Sequence, residues 1–325
     1  MTNDRPGSPA KRQPRTWILT NGMAGYEVQA LGLTEAMGID APVMKRVNPP
    51  APWRWIAPWG PAAADPGVTP PWPELLIAAS RQAIPYARMI ARRSKGRTFV
   101  VVLQNPHVRL SQFDFVWAPL HDRLKGPNVL STLVSPHRLT SERLAAEAER
   151  FAPRIAHLPH PRIAVLIGGT NAVYQMTEEV ADRIGMQLAN LCDEYGASLL
   201  VTPSRRSGKA QVDAIRSRLR GKPAIIWDGT GENPYFGFLG SADTVLVTCD
   251  SVNMVGEATA TGKPVYVIEL EGGSAKFRRF LNAIYASGAA RPFAGRLECW
   301  DYRPLNATKG IADAILRAMA AHSRK

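Results

Sequence analysis

Arg162-Ile-Ala-Val-Leu-Ile-Gly-Gly-Thr-Asn171 is an apolar, strand-length run that ends on a glycine pair. A helical pattern follows. Thr177 stands as its cap, Glu178 and Glu179 fall in its first turn, Val180, Ile184, Leu188 and Leu191 recur on one face, and Gly196 stops it. Strand, glycine loop and helix in that order open a βα unit on a parallel sheet, where ligands bind beyond the carboxyl ends of the strands. Paired glycines let backbone amides approach a phosphate, so Gly168, Gly169, Thr170 and Asn171 are candidate nucleotide-binding residues. Plain chain reversal is the other reading of a glycine pair.

Downstream the pattern repeats, with strands expected at 198–202, 224–227, 244–248 and 264–268. After the third comes Asp250-Ser-Val-Asn-Met-Val-Gly-Glu257, in which Ser251 or Asn253 can cap a short helix whose free amides suit a diphosphate. Glu257, a turn and a half further in, is placed to accept both hydroxyls of a ribose. A plain N-cap and a surface glutamate are the bland alternative. Ser204-Arg-Arg-Ser-Gly208 lies past another strand end, and the guanidinium forks of Arg205 and Arg206 can neutralise phosphate. The Gly229–Pro234 turn shapes the rim of this edge.

The first half reads as strands at 17–20, 42–47, 98–103, 115–118 and 129–134, with helices at 26–37, 73–93 and 141–151. His157-Leu-Pro-His-Pro161 breaks that alternation, because prolines so spaced continue neither a helix nor a central strand. The expected division is therefore a basic tail at 1–15, a first Rossmann-like domain at 16–157, a second at 158–305, and a closing helix at 306–325 that crosses back to the first domain. His157 and His160 have no further ligands near them and read as linker.

Composition narrows the class. At 325 residues the chain fits two domains, and 45% hydrophobic with 21% charged residues is ordinary for packed proteins. A net charge of +13 favours anionic partners. No zinc-finger spacing, RNP-like motif or basic recognition helix appears, so nucleic acid is not expected. Cys192, Cys249 and Cys299 are too few and too scattered for a disulfide framework, which points to a reducing cytoplasm. The segment 1–15 lacks the apolar core of a secretory signal, and no apolar run approaches the ~20 residues that span a bilayer.

The run from Trp227 through Ser241-Ala-Asp-Thr-Val-Leu-Val-Thr-Cys-Asp-Ser-Val-Asn-Met-Val-Gly-Glu-Ala258 to Gly262-Lys-Pro-Val265 resembles the donor half of GT-B glycosyltransferases. In the N-acetylglucosaminyl transferases of peptidoglycan synthesis, a GG-Ser/Thr loop, a helix-capping serine and a ribose-binding glutamate serve a UDP-sugar. Almost the whole chain from Trp17 also resembles the bacterial branch of the ELM-type mitochondrial fission family. That likeness is carried by Leu19-Thr-Asn-Gly-Met-Ala-Gly-Tyr-Glu-Val-Gln-Ala-Leu-Gly-Leu33, Ala118-Pro-Leu-His-Asp122, Gly126-Pro-Asn128, Pro136-His-Arg138, Gly168–Asn171 and Asp250–Glu257. The resemblance implies α/β architecture with two Rossmann-like domains, their parallel sheets facing a cleft, and a transferase activity in bacteria. Plant members of the family are linked to mitochondrial division at the organelle surface.

Catalysis by such an enzyme needs a base for the acceptor hydroxyl. The acceptor-side loop is expected at Asn21, Gly22 and Gly25, followed by Tyr26 where the peptidoglycan transferases carry histidine. A phenol with a pKa near 10 is a poor base. The candidate bases are Glu27, the pair His121 and Asp122, and His137, each at a strand's end. Trp53, Trp55 and Trp59, with Arg88, Arg92 and Arg93, are expected to seat the first domain on an acidic membrane surface; folding onto their own domain is the alternative. These readings converge on a metal-independent glycosyltransferase, peripheral on the inner membrane face. It would need no cofactor, taking a nucleotide-diphosphate sugar and passing the sugar to a lipid-linked or envelope acceptor. A nucleotide-sugar epimerase and a noncatalytic membrane-surface adaptor are the rivals.

Overall fold

The computed structural model of the chain describes residues 13–322. The expected basic tail lies outside the described residues as far as position 12. Its last residues are already tied down: the Gln13 side-chain amide donates to Asp40 at 2.7 Å and the Arg15 backbone amide to Glu74 at 2.8 Å.

Two compact units divide the chain. The first takes the described residues up to Ala118, Leu124–Leu130 and the described residues from Thr308 onward. Its elements are β1 (Thr16–Thr20), α1 (Ala24–Ala36), β2 (Val43–Arg46), α2 (Trp53–Ile56), β3 (Leu75–Ala79), α3 (Ala83–Arg93), β4 (Phe99–Leu103), β5 (Phe115–Pro119) and β6 (Val129–Thr132). They build a six-stranded sheet in the order β2-β1-β3-β4-β5-β6, parallel through β2, β1, β3, β4 and β5. β1, β3, β4 and β5 are buried at every position, the consequence of covering both faces of a parallel sheet, whereas edge strand β2 is half exposed. The final helix, Thr308–His322, lies in this unit against α1, and His322 stacks edge-on to Phe99 at 5.4 Å.

One expectation fails here. The single helix read at 73–93 is a strand and a helix, because Leu75-Leu-Ile-Ala-Ala79 occupies the sheet centre, paired with both β1 and β4. A short, unbroken apolar run has no period to tell strand from buried helix.

The second unit holds Pro119–Arg123 and Ser131–Ala307. It contains α4 (Ser141–Ile155), β7 (Arg162–Ile167), β8 (Tyr174–Gln175), α5 (Glu178–Tyr195), β9 (Ser198–Pro203), α6 (Lys209–Arg218), β10 (Ala224–Ile226), α7 (Tyr235–Ser241), β11 (Thr244–Thr248), α8 (Val252–Thr259), β12 (Val265–Ile268), β13 (Glu271–Gly272), α9 (Ala275–Ala286) and β14 (Arg291–Pro292). The main sheet runs β10-β9-β7-β11-β12-β14, all parallel, so every strand delivers its following loop to one edge. α5 is capped as read, Thr177 Oγ1 accepting from the Val180 amide at 3.2 Å, and Gly196 ends it at φ 61°. Val180, Ile184 and Leu188 are almost wholly buried, each contributing roughly 1.5–3 kcal/mol.

The chain does not divide at residue 157. Phe151, Ile155 and Leu158 form one cluster with Leu200 of β9 and Phe238 of α7, and the Phe151 and Phe238 rings meet edge-on at 6.2 Å. These buried side chains bind α4 to the second unit, and the prolines at 159 and 161 serve as a turn inside it. There His160 Nδ1 sits 2.6 Å from Asp243. Among the described residues no cluster of three or more His, Cys, Asp or Glu could hold a metal, and no helix is long and apolar enough to cross a membrane.

Candidate functional site

The carboxyl ends of β7, β9 and β11 bring three loops together around Asp250, whose side chain is fully buried. Its Oδ1 accepts from Thr248 Oγ1 at 2.7 Å, its Oδ2 from the Gly169 amide at 3.1 Å, and Arg206 pairs with Oδ2 at 2.8 Å. Burial pushes the Asp250 carboxyl up, while Thr248, Arg206 and the Gly169 amide pull it back. The two glycines are required by this packing. A Cβ at Gly168 would stand 2.0 Å from Asp250 Oδ1, and one at Gly169, where φ is 154°, would stand 2.0 Å from the Arg206 carbonyl oxygen.

The glycine amides expected to hold a phosphate make bonds within the protein. Gly168 N donates to Thr248 Oγ1 at 2.7 Å and Gly169 N to Asp250, so both donors are spent within the protein. Thr170 Oγ1 accepts from the Met176 amide at 3.1 Å. Asn171 braces the loop from both ends, its Nδ2 donating to the Asp250 carbonyl at 3.1 Å and its Oδ1 accepting from Val173 and Tyr174 amides. Ser204 is likewise turned inward, its hydroxyl donating to the Gly168 carbonyl at 2.8 Å. The glycine loop is thus a joint that draws β7, β9 and β11 together, and Asp250 is its pin.

The groups left facing solvent are the arginines and the start of α8. Arg206 keeps 39% of its side chain exposed despite its ion pair. Arg205 is exposed and lines a cavity of about 460 Å³ with Lys209, Arg216, Trp227 and Asp228. The Trp227 indole is fixed there by donating to the Thr230 carbonyl at 2.8 Å. Ser251 caps α8, its Oγ accepting from Met254 N at 3.4 Å, and Asn253 follows half-buried in the first turn, where helical amides lack intrahelical acceptors.

Glu257 is buried rather than a surface residue, at 7% exposure. The Tyr235 hydroxyl, from the first position of α7, donates to Glu257 Oε2 at 2.5 Å. Asn233 Oδ1 accepts from the Tyr235 amide at 3.0 Å and so fixes how α7 begins. Burial raises the Glu257 carboxyl to about 7, and the Tyr235 hydrogen bond opposes it. The phenol is pushed well above its ordinary value by its own burial and then by that carboxylate, so it remains a donor. Tyr235 was not legible as a site residue. The Asn-Pro-Tyr signal marks a helix start, and nothing local shows that the start abuts Glu257.

Of the candidate bases, Glu27 is held in an ion pair. Arg46 grips both its oxygens, Nε to Oε1 at 2.7 Å and the terminal nitrogen to Oε2 at 3.0 Å, and Thr20 adds a bond at 3.3 Å. Burial pushes the Tyr26 phenol up, further from service as a base. Asn21 and Gly22 form a tight turn out of β1, Gly22 N donating to Thr20 Oγ1 at 3.1 Å and Met23 N to Asn21 Oδ1 at 3.3 Å, and Gly25 lies in the first turn of α1.

His121 and Asp122 belong to the second unit and are brought together with α9. His121 Nε2 lies 3.7 Å from Asp122 Oδ1, Lys276 reaches the same oxygen at 2.5 Å, and Arg279 donates to the His121 carbonyl at 3.1 Å. Burial pulls His121 down to about 4 against the opposing pull of Asp122, so the imidazole is neutral at pH 7, and its buried Nδ1 has no hydrogen-bond partner among the described residues. Lys276 and Arg279 were missed because α9 was not foreseen; the Gly272-Gly273-Ser274 run after β12 repeats the glycine-pair signal and would have found it. His137 is buried as a loop anchor, its Nδ1 accepting from Leu139 N at 3.2 Å, and burial lowers it to about 4.

In the first unit, Trp55 and Trp59 are 69% and 64% exposed and Trp53 37%, so they are not folded away. Arg88 is committed to the same segment, donating to the Pro58 and Trp59 carbonyls at 3.0 Å each, whereas Arg92 and Arg93 stand exposed at the end of α3.

Comparison with known proteins matches residues 24–319 to the model of a family described as mitochondrial fission ELM1. The mitochondrial fission protein ELM1 of Arabidopsis thaliana is 30% identical over 77% of this chain, and the chain spans 64% of the plant protein's length. A protein of Rickettsia prowazekii (strain Madrid E) is 25% identical over 76% of this chain and 80% of its own. Among solved structures, UDP-GlcNAc 2-epimerase from Methanocaldococcus jannaschii superposes with a TM-score of 0.58 at 10% identity, covering 94% of this chain and 99% of that one. S. aureus MnaA, solved with UDP, superposes at 0.52 and 11%, covering 95% and 90%. At such identities the likeness is one of fold.

Proposed function

The chain belongs to the mitochondrial fission ELM1 family, its fold is GT-B-like, and on that footing we propose that it is a glycosyltransferase whose second unit holds a nucleoside-diphosphate sugar. The observation that carries this reading is the buried Glu257 carboxylate a turn and a half inside the Ser251-capped helix α8, with Arg206 near the same strand end. The α8 start and Arg206 suit a diphosphate, and Glu257 suits the vicinal hydroxyls of its ribose. UDP in the S. aureus structure of like fold agrees with that choice of ligand. Under this reading His121, neutral and set beside Asp122, is the base for an envelope or lipid-linked acceptor hydroxyl on the inner membrane face.

Binding of UDP, GDP, CDP and ADP, measured by calorimetry and by thermal shift, tests the reading. A ligand at a hundred times its Kd stabilises the fold by ~2.7 kcal/mol. Silence from all four nucleotides overturns the proposal. Turnover of the matching nucleotide sugar without an acceptor would instead identify an epimerase. The exposed Trp55 and Trp59 favour a second reading, a membrane-surface adaptor. That reading prevails if Glu257→Gln leaves the cellular phenotype intact and Trp55→Ala with Trp59→Ala abolishes it.

A further inference from the structure

We infer that Tyr235 is a positioning residue for ligand binding: its hydroxyl fixes one oxygen of Glu257 and so aims the rest of that carboxylate at a vicinal diol. The inference rests on the nucleotide-binding reading of the same site and names a residue that reading does not need. Its ground is geometric. Tyr235 sits half-buried at the first position of α7, 22 residues before Glu257, and meets Oε2 at 2.5 Å. A phenol held protonated donates and does not release the proton, so Oε2 is one-sided and the carboxylate plane is set by α7.

A diol offers two hydroxyl donors, and an ionised carboxylate accepts both; a protonated carboxyl has one acceptor fewer and one donor too many. The charge state of Glu257 therefore decides whether the site accepts a ribose. Burial favours the neutral form and Tyr235 the charged one. α8 carries no other ionisable side chain. Val134 and Ser135 pack beside Gly256, and nearby His137 is neutral across this range. At the other end of α8, Asp250 is paired with Arg206. Tyr235 is thus the group from a packed element that acts directly on the Glu257 proton.

The test is calorimetric titration of wild type, Tyr235→Phe and Glu257→Gln with UDP and 2′-deoxy-UDP from pH 6 to 9. Wild type should bind UDP with an affinity that falls below about pH 7. Tyr235→Phe should move that midpoint up by about one pH unit, weakening UDP roughly fivefold at pH 7 with recovery near pH 9. Tyr235→3-fluorotyrosine, of nearly the same shape and a stronger donor, should move it down. Glu257→Gln should bind weakly at every pH and lose the preference for UDP over its deoxy form. A Tyr235→Phe curve that overlays wild type, or one lowered equally at all pH values, overturns the inference while leaving nucleotide binding standing. Failure of wild type to bind any nucleotide removes the reading and the inference together.

Discussion

Alanine at position 168 tests what the glycine pair is for. The added Cβ would lie 2.0 Å from Asp250 Oδ1 and 2.3 Å from Oδ2, and the carboxylate has no room to yield. It is held by Thr248 Oγ1 at 2.7 Å, by Gly169 N at 3.1 Å and by Arg206 at 2.8 Å. Gly168→Ala must therefore displace Asp250 and strand buried donors. Overpacking costs ~1–3 kcal/mol and each stranded group ~1–3 kcal/mol, so the sum is roughly 3–5 kcal/mol, a large share of a domain's stability. Asp250→Ala alone strands the same donors without the clash and should cost ~2–4 kcal/mol. In the double variant the clash has no partner, so it should lie near Asp250→Ala, with a coupling of roughly 2 kcal/mol or more in the favourable direction. Urea unfolding of the four proteins, followed by far-UV circular dichroism, reads the cycle. If instead the glycine amides served a phosphate, Gly168→Ala would weaken nucleotide binding and leave the urea midpoint within ~0.5 kcal/mol of wild type; that result refutes the reasoning.

Other expectations follow from the same geometry. Lys263 donates to the Leu239 and Gly240 carbonyls at the end of α7, and burial lowers it to about 8. The unfolded chain then binds the extra proton between about pH 8 and 10.5, so stability from this group rises with pH in that window. Lys263→Met should lose that rise, seen as a difference between the two stability curves that widens above pH 8. His121 and His137 are both lowered to about 4 by burial, so each contributes stability above pH 6.5 that is lost as pH falls through 4, roughly 3 kcal/mol apiece. His121→Asn should flatten this acid limb in pH-dependent unfolding. Trp55→Ala with Trp59→Ala, both exposed, should leave Tm almost unchanged and cut flotation with phosphatidylserine vesicles several-fold; unaltered flotation would remove the membrane proposal.

How far the sequence could be read follows the range of the interactions. Caps and periods are local, and those at Thr177, Ser251 and Gly196 were legible because the deciding atoms lie within a few residues. The parallel sheets were legible from repetition of the same unit, and the GT-B likeness from the family resemblance. The glycine pair was located but its bond to Asp250 was not legible, because that partner lies 81 residues beyond Gly169. Tyr235 was missed for the same reason at a separation of 22 residues. β3 was misread because burial on both faces erases the alternation that identifies a strand. The expected domain boundary put weight on two prolines, whereas Phe151, Ile155 and Leu158 decide the division by where they are buried.

The two buried acids of the site differ in a way that separates scaffold from function. Asp250 is matched by a guanidinium, a hydroxyl and an amide, and its removal should loosen three loops. Glu257 has a phenol for its partner, and burial raises its folded pKa to about 7, above the unfolded value near 4.5. Any stability this group lends is full below pH 4.5 and lost as pH rises through 7, so at pH 8 the charged form strains the unliganded fold. A protein keeps such a group when a ligand repays it. Glu257→Gln, which keeps the size and an acceptor for Tyr235, should be ~1–3 kcal/mol more stable than wild type at pH 8 without nucleotide and about equal to it at pH 5. The same variant should lose the stabilisation that nucleoside diphosphate gives wild type. Destabilisation at pH 8 with nucleotide response intact would make Glu257 a structural tie, and the site would have to be sought elsewhere along the sheet edge.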